Sequence, residues 1–153
     1  FPANLAPVAS ACLTERRIPG GSPLIELAAT DGGGFPRNGL VQKLLPFYRL
    51  GYLSLKEIVE KCSVNPAETF GLHQKGNLGI GADADITVLD MKRLDAAMSF
   101  AGGKRIMDHG RVTGSGGTFL TTKAGVKTAQ EMQLNYQIAD TQRSALYGER
   151  TAK

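Results

Sequence analysis

The texture of the chain changes at Gly71, and that change constrains the fold more than any other feature. Helix signals precede it. Ser54 followed by Glu57 makes a capping box, with Leu53 and Ile58 as its hydrophobic staple, and Leu55, Ile58, Val59 and Cys62 then share one face. Ser63-Val64 is expected to break this helix. Asn65 then caps a second one, with Pro66 at its first position, Glu68 reaching back and Phe70 packed inward. Gly71 is expected to end it in the left-handed conformation that glycine permits. Strand signals follow. Gly76, Gly79 and Gly81 lead into the β-branched run 84–90, and a hairpin turning at Asp108-His109-Gly110 joins Arg105-Ile106-Met107 to Arg111-Val112-Thr113. Gly114-Ser115-Gly116-Gly117 is then a loop before a strand over 118–122. Helical signals in one part and strand signals in the next put a domain boundary near Gly71.

The flanking parts are plainer. An Ala-rich helix is expected between Leu5 and Leu13, a buried strand over 24–30 and a helix, or two pieces interrupted by Pro46, over 40–50. A terminal helix is expected over 128–147, with Ala129, Met132, Tyr136 and Ala139 at helical spacing. The expected division is therefore 1–72, 73–125 and 126–153.

At 42% hydrophobic and 21% charged, the chain can bury a core, and no apolar run approaches the ~20 residues of a membrane span. The net charge of +4 is spread over scattered pairs such as Arg16-Arg17, Lys92-Arg93 and Lys104-Arg105, which does not suggest nucleic acid as a partner. Cys12 and Cys62 lack a CxxC spacing and read as buried free thiols of a reducing cytoplasm. Phe1-Pro2 resembles neither a start site nor a signal peptide, so the chain is expected to begin in mid-domain.

The candidate chemistry sits at Leu24 to Gly34. An apolar run ends in Thr30-Asp31 and opens into Gly32-Gly33-Gly34. Barrel enzymes present acids at the carboxyl ends of strands in this way, yet Asp-Gly is also among the commonest turn pairs. Taken locally, both readings stand. A phosphate loop is ranked last, because the glycines lack both a Lys-Ser/Thr ending and the Gly-x-Gly-x-x-Gly spacing. Asp83 and Asp85 flank Ala84 and would share a strand face, as a catalytic pair could.

The helix Asn65-Pro66-Ala67-Glu68-Thr69-Phe70-Gly71-Leu72, followed by Lys75-Gly76-Asn77-Leu78-Gly79-Ile80-Gly81-Ala82-Asp83-Ala84-Asp85, resembles the carboxyl-terminal signature of the amidohydrolase superfamily. Dihydroorotases, hydantoinases and N-acyl-amino-acid hydrolases are nearest in pattern. The hairpin around Gly110 is similar to the strand pair that follows in that family, and the resemblance puts Asp83 and Asp85 at the entry to the sandwich, which favours a structural role in the turn over a catalytic pair. The resemblance implies an α/β fold: the end of a metal-dependent (β/α)8 hydrolase barrel, then the carboxyl-terminal part of a small β-sandwich, then a helical tail. It makes Asp31 the aspartate closing the eighth barrel strand, as metal ligand and general base. Hydrolysis of a cyclic or linear amide by metal-activated hydroxide is the implied reaction. Gly32, Gly33 and Gly34 would let substrate approach the backbone, and Arg37 would bind an acidic substrate group, although a loop arginine is usually solvated.

The same family uses a His-x-His pair, a modified lysine and further histidines for its divalent metal, zinc being the first expectation. The chain has only His73 and His109, neither paired, and both read as structural. Hence no metal is expected on this chain alone, which should be inactive without the remainder of the enzyme. The implied partners are that remainder, a small amide substrate and further copies in a homo-oligomer, with no nucleic acid and no membrane. The alternative is a non-catalytic scaffold that keeps the fold without the metal site.

Overall fold

A computed structural model describes residues 13–15, 21, 23, 25–29, 39–114 and 117–144. The chain divides into two compact units. One comprises residues 1–65 with 91–95, and the other 66–90 with 96–153.

In the first unit, Leu40–Arg49 is a single helix that continues through Pro46 and buries Leu44 and Leu45. Ser54 caps the next helix, Leu55–Val59. Its Oγ accepts from the Glu57 amide at 3.2 Å, while the Glu57 carboxylate accepts from the Ser54 amide at 2.7 Å. Leu53 and Ile58, the two ends of the expected staple, are both buried.

Ser63-Val64 does not break the helix. Residues Glu60–Val64 form a π-turn that runs into the helix Asn65–Thr69, and Asn65 is helical, with φ −61° and ψ −41°. Pro66 explains the difference. It has no N–H to offer the preceding turn and its ring would press on the carbonyl four residues back, so the backbone widens by one residue. The Asn65 N–H accordingly bonds to the Glu60 carbonyl, five residues earlier. Asn65 is thereby inside the helix, and its side chain is released from capping.

The strand expected over 24–30 is absent over 25–29, its contiguous described part. A strand exists only through a partner ladder, and here the segment bonds to helical groups instead. Ala28 N donates to the Lys61 carbonyl at 3.1 Å.

In the second unit, the helix Asn65–Thr69 ends as expected. Gly71 has φ +67°, its N–H reaches the Glu68 carbonyl, and the Leu72 N–H reaches Ala67, which together make a Schellman motif. Phe70 is half-buried. The Ser144 hydroxyl donates to the Thr69 carbonyl, one of the carbonyls that a helix end leaves without an internal partner.

A four-stranded sheet follows in the order β1-β2-β3-β4: Ile86–Asp90, Asp95–Ala101, Lys104–Asp108 and Arg111–Val112, with β2, β3 and β4 mutually antiparallel as neighbours. Strand β2 goes beyond the expectation. Its sequence, Asp95-Ala96-Ala97-Met98-Ser99-Phe100-Ala101, has no β-branched residue, so composition hides it. Both hairpin turns that follow carry two positive φ angles, Gly102-Gly103 at 53° and 76° and His109-Gly110 at 45° and 83°. That is the turn whose twist matches the flanking strands.

The terminal helix expected over 128–147 is corrected. The helix is Val126–Glu131, and Tyr136–Ile138 is a strand, β6, parallel to β5, Phe119–Thr121. Gln133 has φ +54°, its N–H bonds to Gln130, and the Leu134 N–H bonds to Ala129. The helix thus ends in a Schellman motif built without glycine, and Tyr136 and Ala139 lie beyond it. No helix among the described residues is long and apolar enough to cross a membrane.

Candidate functional site

Asp31, Gly32, Gly33, Gly34 and Arg37, together with Cys12, lie outside the described residues. The chain that leads toward Asp31 is described, and three groups of the π-turn region hold it. Lys61 is buried at 2% exposure, and its ammonium donates to the Ile25 carbonyl. The Lys61 carbonyl accepts the Ala28 N–H, and Asn65 Nδ2 donates to the Glu26 carbonyl at 2.8 Å. The backbone of 25–28 is therefore tied at two carbonyls and one amide. Asp31 follows Ala28 by three residues. Neither Lys61 nor Asn65 was among the sequence candidates. The available signal was a lysine three residues after the buried Ile58, on the apolar side of its helix.

The second polar constellation is in the other unit. Lys75 Nζ bonds to Asp83 at 2.9 Å and to Asp85 at 2.5 Å, and Asp85 accepts the Gly102 N–H at 2.8 Å. Hydrogen bonds that Lys75 donates to Asp83 and then Asp85 raise its pKa, with desolvation opposing; those that Asp85 accepts from Lys75 and then Gly102 lower its own, again against desolvation. Asp85 thus fastens the segment ahead of β1 to the β2–β3 turn through Gly102, and Lys75 bridges it to Asp83. This is the structural role expected of the two acids. His109 Nδ1 lies 2.5 Å from Asp108, which also pairs with Arg105 at 2.9 Å, and His73 is exposed. The two histidines do not converge with other ligand types: among the described residues no group of three His, Cys, Asp or Glu side chains could hold a metal. Cys62 is half-buried, and burial raises its pKa more than the neighbouring Lys61 lowers it.

The profile of the amidohydrolase family matches residues 29–117, more than half of the chain. The chain belongs to the amidohydrolase family. The match begins two residues before Asp31 and covers the Schellman-ended helix, the Lys75 constellation and the four-stranded sheet. The resemblance carried by Asn65–Asp90 is thus borne out at the level of the family. Among curated proteins, this amidohydrolase is similar to the dihydroorotase of Pyrococcus furiosus, at 45% identity over 53 residues, 35% of this chain and 13% of the relative. It is also similar to that of Archaeoglobus fulgidus, at 36% over 75 residues, 46% of this chain and 18% of the relative. The dihydroorotase of Methanothermobacter thermautotrophicus is 42% identical over 60 residues, 39% of this chain and 14% of the relative. The chain thus matches under a fifth of the length of these relatives. No solved structure matches it.

Proposed function

We propose that this chain is the carboxyl-terminal part of a metal-dependent enzyme that hydrolyses a C–N bond in a cyclic amide. One observation carries the proposal: an amidohydrolase match that opens at the Asp31 loop, joined by several curated relatives named dihydroorotase. Dihydroorotate is the first substrate to test on that account. The chain would contribute the last strand and helices of the barrel, followed by the carboxyl-terminal part of a small sandwich.

In this proposal Asp31 is the chain's own catalytic group. A carboxylate at the rim of a barrel can accept a proton as the amide carbonyl is attacked and return it to the leaving nitrogen. Gly32, Gly33 and Gly34 leave room for substrate beside the backbone, and Arg37 supplies a cation for an acidic substrate group. A divalent metal would supply Lewis acidity to this chemistry. A catalytic site takes about three protein ligands, and the described residues do not gather them, so the other ligands belong to residues beyond those described.

The test is dihydroorotate hydrolysis by the full-length protein before and after chelation. Turnover that is lost on metal removal and restored by zinc or another divalent ion is the expected result. A folded protein with neither turnover nor bound metal would favour the scaffold reading instead.

A further inference from the structure

We propose that Lys61 and Asn65 are positioning residues that fix the chain entering the Asp31 loop. The proposal rests on the assignment of Asp31 above. Its starting point is Pro66, whose missing N–H accounts for the π-turn Glu60–Val64. Without that turn, Asn65 would be free to cap the following helix with its side chain. With it, Asn65 is helical and its amide donates outward, to the Glu26 carbonyl at 2.8 Å. Lys61, on the same turn, binds the chain from both its ends: its ammonium donates to the Ile25 carbonyl and its own carbonyl accepts the Ala28 N–H.

Burying an ammonium is costly, and a leucine or methionine would fill the same helix face without that penalty. Lys61 is nevertheless 2% exposed, with its charge at a backbone carbonyl of this segment. The ties at Ile25, Glu26 and Ala28 engage two carbonyls and one amide of a four-residue stretch, so a slip of the segment by one residue would break all three. Asp31 follows three positions on in the sequence. Displacing a reacting group by about 1 Å costs on the order of 100-fold in rate, so a clamp at this distance matters to turnover and not only to stability.

The test uses the full-length protein with Lys61→Met, Asn65→Ala, the partial rescue Lys61→Arg, and Asp31→Asn as reference. Amide hydrogen exchange is read for peptides covering 25–29 and, as an internal control, 40–49; kcat and KM are read separately. The clamp predicts faster exchange over 25–29 with 40–49 unchanged, and kcat lowered roughly 10- to 100-fold with KM within about threefold. Lys61→Arg should recover part of both losses, because a donor is retained. Unchanged exchange over 25–29 in folded variants overturns the clamp. So does normal kcat in Lys61→Met and Asn65→Ala while Asp31→Asn is inactive, and that outcome leaves the assignment of Asp31 standing. Full activity in Asp31→Asn overturns that assignment and with it the catalytic purpose of the clamp, and exchange alone then decides whether the segment is held. If Lys61→Met fails to fold, Asn65→Ala carries the same test.

Discussion

Replacing Gly71 by alanine should be the most damaging single-methyl change in the second unit. Gly71 sits at φ +67°, where an L-residue other than Asn or Asp is strained by roughly 1–2 kcal/mol. Its position adds a second cost. A β-carbon there would overlap the Asp140 carbonyl oxygen and stand 3.1 Å from the Asp140 carbonyl carbon and Cβ, so backbone has to move. Overpacking of that kind costs about 1–3 kcal/mol. The stiffer unfolded chain returns about 0.4–1 kcal/mol, leaving a net loss on the order of 2–3 kcal/mol. Gly51 and Gly81 supply the controls, at φ +78° and +88° with nothing within 4 Å of an added β-carbon. Gly51→Ala and Gly81→Ala should carry only the strain and lose about 1 kcal/mol or less. Urea denaturation of the full-length protein, with unchanged m values, measures all three. If Gly71→Ala lies within about 0.5 kcal/mol of the controls, the close approach of residue 140 to the helix end is wrong.

Other perturbations follow from the same geometry. Ser54→Ala removes one half of a reciprocal cap and should cost about 1 kcal/mol in urea denaturation, with Glu57→Ala largely non-additive to it. Ser144→Ala leaves the Thr69 carbonyl without its hydroxyl donor and should lower stability by about 1 kcal/mol. The Lys75 constellation predicts a pH window. Asp85 has a lowered pKa, so its contribution is present above the unfolded value of about 3.9 and fades as pH falls through the folded value. Lys75 has a raised pKa, so its contribution is present below about 10.4 and fades as pH rises through the folded value. Lys75→Met should therefore flatten stability at both extremes and cost about 1 kcal/mol or less between them, because Asp85 is 38% exposed. A wild-type pH profile identical to that of Lys75→Met would refute the constellation.

The legible parts of this fold were those with local chemistry. The capping box, the glycine stop at Gly71 and the His109-Gly110 hairpin each depend on a few adjacent residues, and each stands where the sequence reading put it. What was misread depends on partners or on compensation. Strand β2 is held by its neighbours and not by propensity, and the Gly102-Gly103 pair was the local clue to it. The helix at 126–131 stops at Gln133, a residue that does not advertise a left-handed turn. Pro66 reads as a helix start because prolines usually stand there, and only the π-turn lets it continue one. The 25–29 segment shows the limit most clearly: its apolar run fits a strand, but its bonds go to Lys61 and Asn65, far along the chain. Family membership was legible because its signature is contiguous, from Asn65 to Asp90.

The central claim is that Asp31 is the chain's contribution to a metal-dependent amidohydrolase centre. It is tested most directly by Asp31→Asn in the full-length protein, with dihydroorotate turnover and bound metal measured on the same folded sample. The account predicts turnover down by at least about 100-fold, as expected for loss of a general base, together with weakened retention of the metal. Wild-type turnover and metal content in Asp31→Asn would contradict it.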